Sequence, residues 1–233
     1  MSLDLPEILA EMPLAQGVYI LGTHPQGLVA LHKPCRVLSH PNQKEEKRRS
    51  LLDAEWSSDR ERYSWNSQDR ALRFYLLHRL DSATSGVILG CVNPNLAQEL
   101  KSQFSRRKVS KRYQAVVFGK ADKLEPTWRD LLQKRASRGG VRMEPHNRGV
   151  LAQTKAKCLE SRKQYPAMSL LDLHPITGRT HQLRVQAALR KLPIVGDATY
   201  GNFKLNRLVE KALGSERLFL HAASIHIHWE NGG

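Results

Sequence analysis

The stretch HRLDSATSG, residues 78–86, places one carboxylate, Asp81, two positions after an arginine and just ahead of a Thr-Ser-Gly turn. The same few letters occur in many proteins in which the aspartate only caps a turn through its own backbone. HRLD therefore indicates a catalytic loop only if other segments of the chain agree with it.

Three segments downstream do agree: KRYQAVVFG (111–119), TGRTHQLRVQ (177–186) and GDATYG (196–201). In this order the four segments resemble the pseudouridine synthases that act on large ribosomal subunit RNA and tRNA. The resemblance extends from about Leu28 to His226, and TGRTHQLRVQ is its most specific part. It implies an α/β (α+β) fold with a mixed, largely antiparallel, curved central sheet, flanking helices and an active cleft across the sheet. It also implies the isomerisation of uridine to pseudouridine in structured rRNA or tRNA by base flipping.

The resemblance assigns roles residue by residue. Asp81 corresponds to the catalytic carboxylate, which either attacks the sugar as a nucleophile or promotes an elimination, and both routes stay open. Arg179 corresponds to the arginine that pairs with this carboxylate. Tyr113 corresponds to the tyrosine that stacks under the flipped base, and Leu183 to the apolar residue that closes the other side of the pocket. Arg79 corresponds to the arginine that displaces the base and fills its place in the stack.

A further group of basic residues is expected to contact RNA. A Gly-rich segment from Arg135 to Arg148 carries four arginines with little acid, which is typical of a phosphate-binding loop. Lys33-Pro34 resembles the family's first segment, which shapes a turn beneath the site. The expected RNA contacts are Lys33, His78, Lys111, Arg112, Arg138 and Arg142.

The chain departs from the family pattern at Arg36, at Gln186 and at the pair Ser82-Ala83, which replaces a more charged pair. Arg36 stands where glycine is usual, and glycine is used where the backbone takes a positive φ angle. Either the turn is rebuilt or Arg36 faces RNA. Gln186 stands where histidine is more usual, away from the chemistry. These departures bear on substrate choice rather than on the reaction.

Charge supports a nucleic-acid partner. Lys and Arg number 37 against 22 Asp and Glu, a formal net charge of +15, which suits a phosphate backbone. The alternatives are a basic surface that serves only solubility, a catalytically idle RNA-binding or ribosome-assembly module on the same fold, and a DNA-binding protein. The last lacks a recognisable recognition helix with a zinc or dimer element.

The reaction has no net redox change or hydrolysis, so we expect no cofactor and no metal. The pair His226 and His228 shares one face of a predicted strand but lacks acidic companions. Three widely spaced cysteines form no CxxC motif, and no run of 18 apolar residues occurs. We therefore expect a cytoplasmic protein that contacts no membrane, a monomer without an obligate protein partner.

The segments are expected to belong to one catalytic domain, residues 1–233, without an N-terminal accessory RNA-binding domain. Residues 42–69 are polar and lack periodicity, which predicts an irregular insertion or loop. One helix is predicted to begin at Asn93-Pro94, and a second after Thr180, ending before Pro193. Strands are predicted at 18–22, 28–32, 74–77, 87–92, 113–118, 168–173 and 218–228.

Overall fold

The computed structural model describes residues 5–67, 70–137 and 140–229. The chain forms two compact units. Unit 1 comprises Met1–Val109 and Ile227–Gly233, and unit 2 comprises Ser110–His226.

Unit 1 contains an antiparallel sheet with the strand order β3-β4-β5-β6-β2-β1. A short 3-10 helix, Lys44–Arg49, precedes β3. The named elements are α1 Leu5–Ala10, β1 Tyr19–Thr23, β2 Leu28–Lys33, β3 Glu55–Ser57, β4 Arg62–Ser67, β5 Arg70–Leu76, β6 Ser85–Cys91 and α2 Pro94–Ser105.

The core of unit 1 lies against β5 and β6. Gly90 of β6 lies under the ring of Phe74, and a Cβ at this glycine would come within 2.0 Å of the ring. The ring therefore packs directly on the backbone, which only glycine permits. The helix α2 begins as its sequence predicts, because the Asn93 side chain accepts hydrogen bonds from the first free N–H groups of the helix.

Unit 2 contains a second antiparallel sheet, with the strand order β12-β7-β11-β10-β8-β9. Two helices follow the fifth strand of this unit along the chain. The named elements are β7 Ser110–Phe118, β8 Thr127–Ser137, β9 Gly140–Pro145, β10 Val150–Arg162, β11 Met168–Pro175, α3 Gln182–Leu189, α4 Phe203–Leu213 and β12 Leu220–His226.

The α+β class and the largely antiparallel pairing of strands are confirmed. The interpretation of residues 42–69 as irregular is wrong, since they contain a 3-10 helix and the strands β3 and β4. Within the segment 135–148, in which a phosphate-binding loop is predicted, residues 135–137 belong to β8 and residues 140–145 to β9, and these two strands pair with each other. The second helix has His181 rather than Thr180 as its N-cap. The helix α4 was not predicted.

Candidate functional site

The loop between β5 and β6 carries Asp81, which is half-buried. The carbonyl of Asp81 accepts a hydrogen bond from the Thr84 N–H at 3.0 Å, which closes a tight turn. The hydroxyl of Ser39 donates to the Leu80 carbonyl at 2.8 Å and accepts from the Leu80 N–H at 3.0 Å. The backbone on both sides of the carboxylate is therefore fixed, as a catalytic group requires.

Lys33 lies beneath this loop and has no exposed surface. Its ammonium donates hydrogen bonds to three carbonyls, those of Pro34 at 3.0 Å, Val37 at 2.6 Å and Ser82 at 3.0 Å. Burial lowers the pKa of Lys33 to about 8, against the opposing influence of Cys35 and Asp81. The structure does not support a direct contact of Lys33 with RNA, because all three ammonium protons are used inside the protein. Its role is to join the 34–37 turn to the loop of Asp81.

Arg36 takes the positive φ angle that its position suggests, +70°. Its N–H donates to the Ser82 carbonyl at 2.7 Å, and its side chain is exposed. The turn is therefore not rebuilt around the arginine. The backbone keeps the conformation that favours glycine and accepts the strain of a Cβ in the left-handed region.

Arg79 and His78 precede Asp81 on the same loop and differ in their surroundings. Arg79 is exposed, and its Nη1 lies 3.0 Å from the Nε2 of His40. The His78 ring stacks on Phe104 at 4.9 Å between centroids, and its Nε2 accepts a hydrogen bond from the Leu89 N–H at 3.0 Å. Arg79 is thus placed to reach a ligand, whereas the contacts of His78 serve the packing of the loop.

In unit 2, Tyr113 lies in β7 between Leu173 of β11 and Ala222 of β12, and it is half-buried. Lys111 shares its face of the strand, because side chains two residues apart point the same way. The Lys111 Nζ lies 3.5 Å from the position that a Cβ on Gly178 would occupy. That face of β7 therefore lies beside the loop that carries Arg179.

Desolvation by burial lowers the pKa of Lys111. No carboxylate pairs with its ammonium in the part of the chain that the structure describes. A partly buried ammonium without an internal partner is suited to an anionic ligand.

Arg112 points to the opposite face of β7. Its Nε donates to Asp172 Oδ1 at 2.7 Å, and the second oxygen of that carboxylate lies 3.1 Å from His174 Nε2. Burial raises the pKa of Asp172, but the hydrogen bonds from His174 and Arg112 outweigh it, so the net pKa is lowered. This ion pair and the opposite orientation separate Arg112 from the face that carries Tyr113.

The loop before α3 is fixed by a chain of side-chain hydrogen bonds. The Gln182 Oε1 accepts from the Thr177 hydroxyl at 2.6 Å and from the Arg179 N–H at 3.1 Å. The Arg179 Nε donates to the Leu151 carbonyl at 3.3 Å, and Arg179 as a whole residue is half-buried. Leu183, in the first turn of α3, is 7% exposed. The segment TGRTHQLRVQ thus holds Arg179 and Leu183 on one rigid element.

Gln186, in the same helix, is fully buried and away from solvent. Its Oε1 accepts from the Thr154 hydroxyl at 2.7 Å, and its Nε2 donates to Asp130 Oδ2 at 2.7 Å. At this position, where the family more often has histidine, the glutamine side chain is therefore held by hydrogen bonds inside unit 2.

A cavity of about 590 Å³ lies in unit 2 beside Arg142. The Arg142 guanidinium lies over the Tyr200 ring at 5.3 Å, and the Tyr200 hydroxyl accepts from the Met143 N–H at 2.8 Å. The cavity is lined by Arg142, by an ion pair between Arg135 and Glu144, and by apolar groups of the hairpin and of α3. Arg142 beside these apolar groups is suited to an anionic, partly apolar ligand such as a nucleotide. Its lining residues are Arg135, Ala136, Arg142, Met143, Glu144, Pro145, Val185, Ala188, Leu189 and Tyr200.

The GDATYG segment contributes Tyr200 to the lining of this cavity and carries the buried carboxylate of Asp197. Asp197 is 1% exposed and binds the Arg184 guanidinium through two hydrogen bonds of 2.8 Å. Burial raises the pKa of Asp197, but the hydrogen bonds and charge of Arg184 and the amides of Tyr200 and Thr199 outweigh it, so the pKa is lowered overall.

Several features predicted from the sequence lie away from the residues described above or outside the described part of the chain. Arg138 lies outside the described residues. No group of three or more possible metal ligands occurs among the residues described, so His226 and His228 belong to no such group. None of the described helices is long and apolar enough to cross a membrane. The contact between His40 and Arg79 was not foreseen, because no motif or spacing connects residues 39 positions apart.

Comparison with known proteins identifies relatives. The family model described as RNA pseudouridylate synthase matches residues 27–189, which include Asp81, Tyr113 and Arg179. The protein named tRNA pseudouridine synthase C from Yersinia pestis is 35% identical over 66% of this chain and 63% of its own length. A protein of the same name from Vibrio cholerae is 30% identical over 85% of this chain and 80% of its own length.

A third relative, named ribosomal large subunit pseudouridine synthase C, from Buchnera aphidicola subsp. Baizongia pistaciae, is 35% identical over 65% of this chain and 47% of its own length. The matches to this relative and to the Yersinia pestis protein thus span about half to two thirds of their lengths. Two solved human structures share the fold. RNA pseudouridylate synthase domain containing 1 covers 90% of this chain and 78% of its own with a TM-score of 0.65, and domain containing 4 covers 95% and 85% with 0.59, each at 24% identity.

Proposed function

The chain belongs to the RNA pseudouridylate synthase family, and from this premise we propose that it isomerises uridine to pseudouridine in a structured RNA. The observation that carries the proposal is the placement of Asp81. The carboxylate occupies a loop whose backbone is fixed on both sides, inside the segment that matches the family. A rigid, half-buried carboxylate of this kind is what a glycosidic rearrangement needs.

The reaction breaks the bond between ribose C1′ and N1 of uracil, turns the base, and joins C1′ to C5. Positive charge develops at C1′ as the first bond weakens, and the Asp81 carboxylate stabilises it, as carboxylates do in glycosidases. Attack on C1′ and elimination of a ribose proton both use this carboxylate. The C5 proton leaves when the new bond has formed, and N1, freed from C1′, takes up a proton. Atoms and electrons therefore balance without a cofactor or metal.

We propose that residues 1–233 act as one catalytic domain, in which Asp81 acts together with Tyr113 and Arg179. In this proposal Tyr113 stacks on the detached uracil and assists the removal of the C5 proton, while Leu183 closes the opposite side. The half-buried position of Tyr113 supports a stacking role, since one ring face can pack on the protein while the other meets a base. Arg179 keeps the catalytic carboxylate ionised and oriented.

Lys111 is proposed to bind the RNA from the Tyr113 face of β7. Its ammonium lies beside Gly178 and burial lowers its pKa, and an incoming phosphate would supply the anionic partner that none of the described carboxylates provides. Arg79 is proposed to take the place of the displaced base, which suits an exposed guanidinium two residues from Asp81. His78 would act on RNA only through the loop that it holds.

The substrate proposed is a stem-loop of tRNA or large ribosomal subunit RNA, the two classes that appear in the relatives' names. The net charge of +15 and the arginines at the rim of the unit 2 cavity, Arg142 among them, support binding to a phosphate backbone. We also propose a cytoplasmic monomer without an obligate protein partner. The free thiols of Cys35, Cys91 and Cys158 suit a reducing compartment.

The decisive experiment maps pseudouridine in total RNA from cells with and without the gene. A discrete uridine should lose its modification when the gene is deleted and regain it with the wild type. Restoration with Asp81→Asn should fail, because the amide cannot stabilise positive charge at C1′, although the variant should fold and bind RNA.

The matched control is Asp53→Asn, which removes an exposed carboxylate from the same unit and should restore the modification. Modification by Asp81→Asn at a rate close to wild type would exclude Asp81 as the catalytic group. An RNA-binding protein with no activity on any tRNA or ribosomal stem-loop would favour the idle module instead.

A further inference from the structure

We propose that His40 and Trp56 form a dock that positions Arg79 for displacement of the target base, an inference that rests on the proposed function. The dock consists of these two side chains. Neither residue lies in the four segments 78–86, 111–119, 177–186 and 196–201 that carry the resemblance.

The hydrogen bonds of His40 determine which of its nitrogens can receive Arg79. His40 Nδ1 lies 3.1 Å from the Pro41 carbonyl oxygen. A carbonyl only accepts hydrogen bonds, so Nδ1 carries the proton and Nε2 presents a lone pair. The Arg79 Nη1 lies 3.0 Å from this Nε2 and donates to it. The imidazole is therefore held in the tautomer that accepts a guanidinium proton.

Trp56 holds the imidazole plane. The two rings stack with centroids 4.8 Å apart and an interplanar angle of 9°. Trp56 in turn packs on Tyr63 at 4.8 Å, and Tyr63 has no exposed surface. The dock therefore rests on the core of unit 1 and cannot rotate without breaking two aromatic contacts.

The backbone also ties the dock to the catalytic loop. The Tyr63 hydroxyl donates to the Ser39 carbonyl at 2.8 Å, and the Ser39 side chain makes two hydrogen bonds with the Leu80 backbone. Ser39 precedes His40, and Leu80 follows Arg79. The neighbours of the two partners are thus bonded to each other, which fixes the distance between His40 and Arg79.

The consequence is preorganisation of the guanidinium. An exposed arginine has several free rotors, and immobilising them on binding costs entropy. A guanidinium that already points in a defined direction loses less of this entropy when it enters the base stack. We therefore expect the dock to contribute to the step that displaces the base rather than to the overall affinity for RNA.

The test uses two substitutions at His40 and single-turnover kinetics on the RNA identified by mapping. His40→Phe keeps a ring against Trp56 but offers no acceptor, whereas His40→Gln places an acceptor near the position of Nε2. His40→Phe should lower the single-turnover rate at saturating RNA by about tenfold, the loss expected for one exposed hydrogen bond to a charged group. The dissociation constant for RNA should change less than twofold, and His40→Gln should recover most of the rate.

A double-substitution cycle completes the test. Arg79→Ala and Arg79→Ala with His40→Phe should have the same rate, because the dock acts only through Arg79. Equal rates for His40→Phe and wild type, or independent effects of the two substitutions, would overturn the proposal. A lower unfolding midpoint without a loss of rate in Trp56→Leu would also overturn it, by reducing the dock to a structural contact.

Failure of the dock and failure of the proposed function give different results. The order of the Arg79 guanidinium in the RNA-free protein can be measured by ¹⁵N relaxation of the arginine side chains. His40→Phe should increase the mobility of Arg79 even if no RNA is modified. Unchanged mobility would remove the dock while leaving pseudouridine formation by the wild type untouched.

Discussion

Burial of Lys33 should make the free energy of unfolding rise with pH above pH 8. The pKa of this lysine is lowered from 10.5 to about 8 in the folded protein. Between these values the unfolded chain binds more protons than the folded one, so raising the pH favours the folded state. The full difference corresponds to about 3 kcal/mol. The increase begins near pH 8 and is complete near pH 10.5.

The assay is urea denaturation of the wild type and of Lys33→Met at a series of pH values from 7 to 10.5. The variant should be less stable at every pH, because it loses the ties to Pro34, Val37 and Ser82. The difference in unfolding free energy between wild type and variant should widen by about 3 kcal/mol across the window. Lys163→Met removes one exposed positive charge and serves as the control. A constant difference would mean that the three carbonyls fully offset the cost of burying the ammonium.

Three other substitutions test separate parts of the structure. Arg36→Asn should raise the unfolding free energy by about 1 kcal/mol, because asparagine tolerates the φ angle of +70°. Arg36→Lys should leave the unfolding free energy unchanged. Equal stability of the two variants in denaturation would show that the backbone at this position is not strained. Asp197→Asn should lower the unfolding free energy by about 3–5 kcal/mol, because it leaves Arg184 buried and unpaired. The wild type should lose stability as the pH falls through the lowered pKa of Asp197, and the variant should lack this loss. Lys111→Met should reduce the salt dependence of RNA affinity by about 0.7 log unit per log unit of salt, the amount for one phosphate contact on a single strand, and an unchanged slope in a titration would exclude that contact.

The strands that the sequence predicts are those with apolar alternation, such as β7, in which Ala115 and Val117 are buried. Those that escape prediction carry charge on an exposed face. In β8 and β9 charged and polar residues interrupt the apolar pattern, although Leu132 and Met143 are buried. Period-two alternation is hard to recognise when only one residue in several is apolar.

The helix α4 has boundary signals in its sequence at both ends. Asn202 caps its first turn and Gly214 ends it with a φ angle of +64°. Both residues are standard boundary signals. Between them Leu205 and Val209 lie four residues apart; Val209 belongs to the buried cluster that contains Phe118, and Leu205 packs against that cluster. Capping residues combined with an apolar pair at helical spacing would have predicted this helix.

In the candidate site, too, the sequence indicates some features and leaves others to the structure. Motifs identify Asp81, Tyr113 and Arg179 because their chemistry restricts the residue types that can serve. The sequence does not reveal which side of β7 a basic residue faces, or whether its charge is already paired. Arg112 and Lys111 are adjacent in the same motif, yet Arg112 binds Asp172 and Lys111 lies beside Gly178 on the other face. Only the pairing register of β7 with β11 separates the two roles.

The polar segment between Asn42 and Asp69 is the clearest example of a structural role that the sequence does not reveal. Its charges suggested a solvated insertion, but its aromatic residues decide its position. Trp56 stacks on His40, and Tyr63 bonds to the Ser39 carbonyl. A segment to which no catalytic role is assigned thereby supports Arg79, which lies two residues before Asp81 in the chain. If Arg79 displaces the target base, changes in this segment should alter the rate of pseudouridine formation without touching any motif of the family, because the contact that transmits them is between rings rather than along the chain.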